Sequence, residues 1–436
     1  MNREPRHHPV PHLTTALTGP LLALEERFLE RETRIEQWFH EKWLATPVPF
    51  YTSVDLRNAG FKLAPVDTNL FPAGFNNLNP AFHPLCVQAL QAAVERLCPR
   101  AARILLIPEN HTRNTFYWEN IGALLMLLER AGYKVRIGSL LAGDALPPSI
   151  TLASGRVIPL TPIVRTGDRV GVPDFNPCLV LLNNDLSAGP PAILQGLAQP
   201  VMPPLSLGWW NRLKSGHFTQ YRQLAIEFGA LNDIDPWLID PIFRRCGQID
   251  FQKREGEDCL ARNVEEVLRL VGEKYQEYGI TQKPFVIVKA DAGTYGMGIM
   301  TVHHADEVRQ LNRRQRNKMA VIKEGQTVQE VMVQEGVYTF ETLGPEQAVA
   351  EPVVYMVDRF VVGGFYRLHG ARGTDENLNA PGIQFQSLAF AECCTNPDGT
   401  QSPDSGPNRF YAYGVVARLA LLAAACELQV APGGTK

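Results

Sequence analysis

The chain has no CxxC pair, no short Cys/His spacing of the zinc type, and no run that reads as the roughly 20 apolar residues a bilayer-crossing helix needs. Its eight cysteines, at 86, 98, 178, 246, 259, 393, 394 and 426, are scattered, so they are expected to be reduced thiols, mostly buried as small apolar residues. Blocks of one charge are equally scarce. The net charge is -3, and the basic cluster "LNRRQRNK" at 311 to 318 reads as the solvated face of a helix, which argues against a nucleic-acid surface. The first residues, "MNREPRHHPVPH", lack the apolar centre of a signal segment, and the expected location is the cytoplasm, with no membrane partner. No Ser/His/Asp or Cys/His arrangement points to a protein nucleophile.

What is present suffices for large cores: 436 residues, 45% of them hydrophobic. "LLALEERFLERETRIEQWFHEKWLA" spaces Leu21, Leu24, Phe28, Ile35, Trp38 and Phe39 as one long amphipathic helix. "RILLIPE", the helical "NTFYWENIGALLMLLERAG" and "YKVRIGS" make a βαβ unit, and "CLVLLNNDLS" adds a strand ending at Asn183 to Asp185, at the carboxyl edge where open α/β sheets bind ligands. The middle third is helical in pattern, with "DPWLIDPIFRR" as a connector. From residue 284 the pattern turns to strands and hairpins, closed by the helix "FYAYGVVARLALLAAACELQ". The fold class is therefore α/β, with an α+β C-terminal lobe.

Within "PFVIVKADAGTYGMGIMTV", Lys289 ends an apolar strand and is followed by Gly293, Gly296 and Gly298, which let backbone N–H groups approach an anion. A phosphate chain suits that arrangement, and so does a plain glycine-rich hairpin. The Walker and dinucleotide patterns are both missing. "VMVQEGV" ends a strand at Gln334, Glu335, Gly336 and Val337, where backbone groups can pair with an adenine edge. Arg367 closes the hairpin "EPVVYMVDRFVVGGFYRLH" and can neutralise phosphate, while Asn377 and Asn379, in "GTDENLNAPG", offer oxygens to Mg²⁺.

Residues 54 to 79 mix Asp55, Arg57, Asp67, Asn69 and Asn76 with three phenylalanines. Arg57 with Asp55 or Asp67 supplies a cation for an α-carboxylate and an acid for an ammonium; Asx turns would use the same residues structurally. In "PENHTRN", Glu109 and Arg113 are further candidates for an amino-acid substrate, and Asn114 doubles as a helix N-cap. "GWWNRLKSGHF" either covers an anion or anchors the start of a helix.

The order of Lys289 and its glycine loop, the Gln-Glu-Gly-Val strand end, the Val-Val-Gly-Gly hairpin, Arg367 and "NLNAPG" resembles the ATP-grasp fold. With "VDLRNAGFKLAPVDTNLFPAGFNNL" and "PENHTRNTFYWENI", nearly the whole chain resembles the ATP-grasp type of proteobacterial glutamate–cysteine ligase. The resemblance implies an N-terminal helical segment (1–50), a Rossmann-like substrate-binding, pre-ATP-grasp domain (51–215), a helical linker (216–283) and a nucleotide-binding lobe (284–436). It implies ATP held by Lys289, the loop Gly293, Thr294, Tyr295, Gly296, Met297 and Gly298, and Lys323, with Gln334 to Val337 as the adenine hinge. L-Glutamate and L-cysteine would be joined through an acyl phosphate, with Lys289 and Arg367 catalytic. The usual late Glu-x-Asn metal triplet is missing from "SLAFAECC", which leaves Asn377, Asn379 and Glu392 as the Mg²⁺ candidates. Glutathione synthetase, another peptide ligase or a non-catalytic nucleotide-binding protein remain open on these residues, as does a homo-oligomer.

Overall fold

The computed structural model describes residues 13–14, 19–110, 113–293, 298–321, 327–387 and 409–430. Three larger sheets organise them. The first is parallel, in the order Val201–Met202, Leu179–Asn183, Arg103–Pro108, Lys134–Ser139 and Thr161–Pro162. Leu179 to Leu182 and Ile104 to Ile107 are buried without alternation, as a parallel sheet covered on both faces requires.

The second sheet has four antiparallel strands: Phe243–Gly247, Glu330–Glu335, Val286–Ala290 and Ile299–Val302. Phe243–Gly247 falls in the stretch the sequence pattern treats as a helical connector. It pairs with Glu330–Glu335 from Gly247↔Glu330 to Phe243↔Gln334, a partner that local periodicity does not reveal.

The third sheet is antiparallel and has seven strands, centred on Ala348–Val357 and Phe360–His369. Tyr51–Asn58 pairs with Ala348–Val357, and Leu63–Asn69 with Tyr51–Asn58. Residues 51–69, which the sequence groups with the first sheet, thus hydrogen-bond into the third.

The helix Glu257–Glu277 shows why these segments take their form. Leu260, Val264, Val267, Val271 and Tyr275 recur at helical spacing and are buried, while Arg269 bridges Glu266 and Glu273 on the wet face. The expected long N-terminal helix is two helices, Pro20–Glu30 and Glu32–Ala45, broken at Arg31 (φ -106°, ψ 14°). The break brings Phe28 from one and Trp38 and Phe39 from the other onto the single ring of Phe228, at centroid separations of 5.9, 5.4 and 6.2 Å. The basic segment near 313 is the short helix Arg313–Ala320, capped by Asn312 and Gln315, with its cationic residues largely exposed, as expected.

One expectation is overturned. Phe410–Gln429 is apolar enough over 20 residues to cross a membrane, with a mean hydropathy of 1.4, yet 83% of that window is buried inside the protein. It is a core helix: it packs on the helix Lys214–Asn232 and the strands Tyr51–Asn58 and Leu63–Asn69, and Arg418 within it is held bidentately by Glu36 at 2.7 Å.

Because Phe228 joins both N-terminal helices to the core, Phe228→Ala should lower stability by about 3–5 kcal/mol in urea unfolding. Exposed Ile226 on the same helix (54% exposed) should tolerate alanine with a change below about 0.5 kcal/mol. Similar losses at the two positions would show that the aromatic cluster is not the joint.

Candidate active site

The second and third sheets, with the start of the helix Thr115–Arg130 and Trp209, line a cavity of about 820 Å³. Its walls include Asp55, Arg57, Asp67, Asn69 and Asn76 from the 51–79 segment, Lys289, Gln334, Glu335 and Val337 from the second sheet, and Glu351 and Arg367 from the third. Asn377 and Asn379 line its rim. Residues from distant parts of the sequence converge because the third sheet recruits Tyr51–Asn58, while Lys289 abuts Val66.

Charge lines one wall in alternation. The Glu351 carboxylate accepts from Arg57 Nε at 2.9 Å and Arg367 Nη1 at 3.0 Å, and Arg367 Nη1 also reaches Asp55 at 2.9 Å. Arg57 further donates to the carbonyls of Val337, at 3.1 Å, and Glu376, at 2.6 Å. Arg57 therefore pairs with Glu351, not with Asp55 or Asp67. Burial alone would raise the Glu351 pKa, but the two guanidiniums overcome it and hold the carboxyl below its usual range. Burial raises Asp55, and Arg367 only partly opposes this. Arg367 Nε and Gln334 Nε2 are buried donors without a partner among the described residues. Such groups are costly unless something accepts from them.

At the other end, Asp67 accepts from Lys214 at 2.7 and 2.9 Å. Burial works against its charge, but Lys214, Lys289 and Arg212 hold its pKa down at about 2. Lys289 is buried, donates to the Val66 carbonyl at 2.7 Å, and is pulled down to about 8, mainly by burial, with neighbouring Lys214 and Arg57 adding to the effect. Lys214 also stands over the Trp209 ring at 4.3 Å, and Arg212 is held by Glu427. The "GWWNRLKSGHF" segment thus brings cations to this end of the cavity.

The glycine loop begins and ends at positive φ, 113° at Gly293 and 62° at Gly298, the conformations that make glycine necessary. Thr294, Tyr295, Gly296 and Met297 lie outside the described residues, as do Lys323 and Glu392. In the hinge segment, the Glu335 N–H donates to Ile242 and the Gly336 N–H to Phe285, so neither can serve a ligand. The Glu335 side chain is paired with buried Lys62 at 2.7 Å. A Cβ on Gly336 would lie 2.1 Å from the Phe285 ring, so only glycine fits there.

Glu109 and Arg113 do not line the cavity. Glu109 accepts from the Asp185 backbone N–H at 2.9 Å and Arg113 is exposed, while Asn114 caps the helix Thr115–Arg130 through Tyr117 N–H. Asn69 accepts from Phe71 N–H in an Asx turn. Asn377 Oδ1 accepts from Asn379 N–H, and the described residues contain no group of three His, Cys, Asp or Glu able to hold a metal ion. Asn377 and Asn379 bring two amide side chains to the cavity lining, donors that suit an Mg²⁺ carried in on nucleotide phosphates. Sequence reasoning missed Glu351 and the Lys214–Asp67 pair. A glutamate in the otherwise apolar "AVAEPVVYMV" was the available signal for the first.

The fold and cavity define a mixed α/β protein with a deep, charge-lined site for small polar molecules. The chain belongs to the glutamate-cysteine ligase family, whose model matches residues 25–428. A solved structure from Methylobacillus flagellatus KT, provisionally named a gamma-glutamylcysteine synthetase, shares 61% identity over 97% of this chain and 99% of its own, with a TM-score of 0.89. D-cycloserine synthetase DcsG and the D-alanyl-alanine synthetase A of Vibrio cholerae O1 are each 11% identical. They cover 75% and 73% of this chain and 82% and 81% of their own, with TM-scores of 0.38 and 0.32. No curated protein matches significantly.

Removing the Glu351 charge leaves Arg367 with Asp55 and Arg57 with only the Val337 and Glu376 carbonyls among the described residues. Glu351→Gln should cost about 3–5 kcal/mol in chemical denaturation. Glu273→Gln, at an exposed pair, should cost below about 0.5 kcal/mol. A near-neutral Glu351→Gln would mean that solvent screens the pair.

Proposed function

We propose that the protein is an ATP-dependent carboxylate–amine ligase that joins the γ-carboxylate of L-glutamate to the amine of L-cysteine, giving γ-glutamylcysteine in the cytoplasm. A γ-carboxylate oxygen attacks the γ-phosphorus and ADP leaves. The cysteine amine then attacks the acyl phosphate carbon, loses a proton and expels phosphate. The family supports the pair of amino acids, and the convergence of Lys289 and Arg367 on one cavity from separate sheets carries the mechanistic reading.

In this reading the chemistry is positioning and charge neutralisation, without a protein nucleophile. Lys289 and the 293–298 loop, with Lys323, hold the phosphates in an ATP-grasp arrangement. The Val337 N–H and the hinge carbonyls face the base, since the N–H groups of Glu335 and Gly336 are committed elsewhere. Arg367, on the cavity wall, neutralises the charge of the transferring oxygens. Asp55, Arg57, Asp67, Asn69 and Asn76 surround the amino acids, with the parallel-sheet region as a Rossmann-like substrate domain. Mg²⁺ enters as the counter-ion of the nucleotide substrate, with Asn377, Asn379 and Glu392 nearest in role; no step depends on a resident ion.

With ATP and Mg²⁺, ADP release should require both glutamate and cysteine and should yield γ-glutamylcysteine. Release only with γ-glutamylcysteine plus glycine would move the assignment to the next ligation, and none with either pair would sink the catalytic reading. Lys289→Ala should abolish turnover while leaving the circular dichroism spectrum unchanged.

The depressed Lys289 pKa carries a pH signature. The ammonium is present below about 8 and lost above it, so ATP affinity of the free protein should fall as pH rises through that value. Lys289→Arg, charged throughout, should flatten the profile. A wild-type affinity constant from pH 7 to 9.5 would show that Lys289 either keeps an ordinary ammonium or does not bind the phosphates.

A further inference from the structure

Away from the cavity, Cys246 on the strand Phe243–Gly247 donates its S–H to the sulfur of Cys259 at 3.3 Å. Cys259 lies in the first turn of the 21-residue helix Glu257–Glu277 and is partly exposed, whereas Cys246 is buried. We propose that Cys246 and Cys259 are a dithiol modification site that reacts with low-molecular-weight disulfides to form a reversible intramolecular disulfide.

The geometry assigns different roles to the two sulfurs. Cys259 is the one solvent can reach, and its sulfur faces the S–H of Cys246 and the Asn263 amide at 3.7 Å, both donors to a thiolate. The two acids of that turn are engaged, Glu257 by Arg254 and Asp258 by Arg309. Burial, reinforced by the neighbouring sulfur, pushes the Cys246 thiol up to about 11, so it remains protonated until the second step. The two sulfurs, 3.3 Å apart, are already within about 1.3 Å of the ~2.05 Å bond length.

The exchange balances. The Cys259 thiolate attacks one sulfur of RSSR and expels RS⁻, leaving a mixed disulfide. Cys246 then loses its proton, attacks Cys259 Sγ and expels the second RS⁻. The two cysteines give up two electrons, RSSR is reduced to two RSH, and the two thiol protons end on those products. The segment closed by this bond is already tight: Asp250 and Glu255 exchange backbone hydrogen bonds, and a Cβ on Gly256 would lie 2.7 Å from the Gln248 carbonyl.

The test treats the full-length wild-type protein with 2-hydroxyethyl disulfide and maps its peptides by mass spectrometry. The Cys246 and Cys259 peptides should be linked, with a loss of two hydrogens and no adduct, and dithiothreitol should reverse the change. Cys246→Ser should instead keep a stable hydroxyethylthio adduct on Cys259, while Cys86, buried with its pKa pushed up to about 12, should stay unmodified. A persistent adduct on Cys259 of the wild type, or recovery of both as free thiols, overturns the proposal without recourse to any variant.

Discussion

A single carboxylate, Glu351, holds the candidate site together by accepting from two arginines that belong to different strands. Charges taken out of water must be paired or they destabilise the fold. Here that constraint ties Tyr51–Asn58 and Phe360–His369 to the strand Ala348–Val357 that both flank, and through it the 51–79 segment joins the cavity wall. Arg57 extends the same connection to the Val337 and Glu376 carbonyls, so hinge, rim loop and sheet share one guanidinium. Arg367 uses one nitrogen for Asp55 and Glu351, and its Nε has no partner among the described residues. The network therefore pairs two guanidiniums with two carboxylates, one of them, Asp55, with its pKa raised by burial.

Two buried lysines illustrate how neighbours set the use of a charge. Lys62 has a carboxylate partner in Glu335 and a carbonyl in Asp240, and it faces the Trp237 ring at 4.4 Å. It is structural: it fixes the end of the strand that leads into the hinge. Among the described residues Lys289 has only the Val66 carbonyl as a hydrogen-bond acceptor, and nearby Asp67 is already gripped by Lys214. An incoming anion would meet a lysine whose charge is poorly compensated, which makes Lys289 the better counterpart for a phosphate.

Where short-range periodicity decides structure, the sequence was a good guide. The helix Glu257–Glu277 followed from a 3.6-residue repeat, and Arg103–Pro108, Lys134–Ser139, Leu179–Asn183 and Val286–Ala290 from short apolar or extended runs. Asp55, Arg57, Asp67, Asn69 and Asn76 stood out as polar groups in an apolar frame, and all five line the cavity. Partners were illegible, because Arg57 and Glu351 are 294 residues apart and Lys62 and Glu335 are 273 apart. The strand Phe243–Gly247 escaped notice for the same reason: five residues acquire strand character only from the partner beside them. The apolar helix at Phe410–Gln429 shows the limit of composition, since core and bilayer call for the same residues.

That helix also bears on how the chain is made. Its Arg418 meets Glu36 across 382 residues of sequence, and its apolar side chains fill the space between strands formed by residues 51–69 and the helix Lys214–Asn232. A ribosome releases the two N-terminal helices and those strands long before it supplies the segment that covers them. Until then the nascent protein carries an open apolar trough, and during that interval it is a natural client for chaperones.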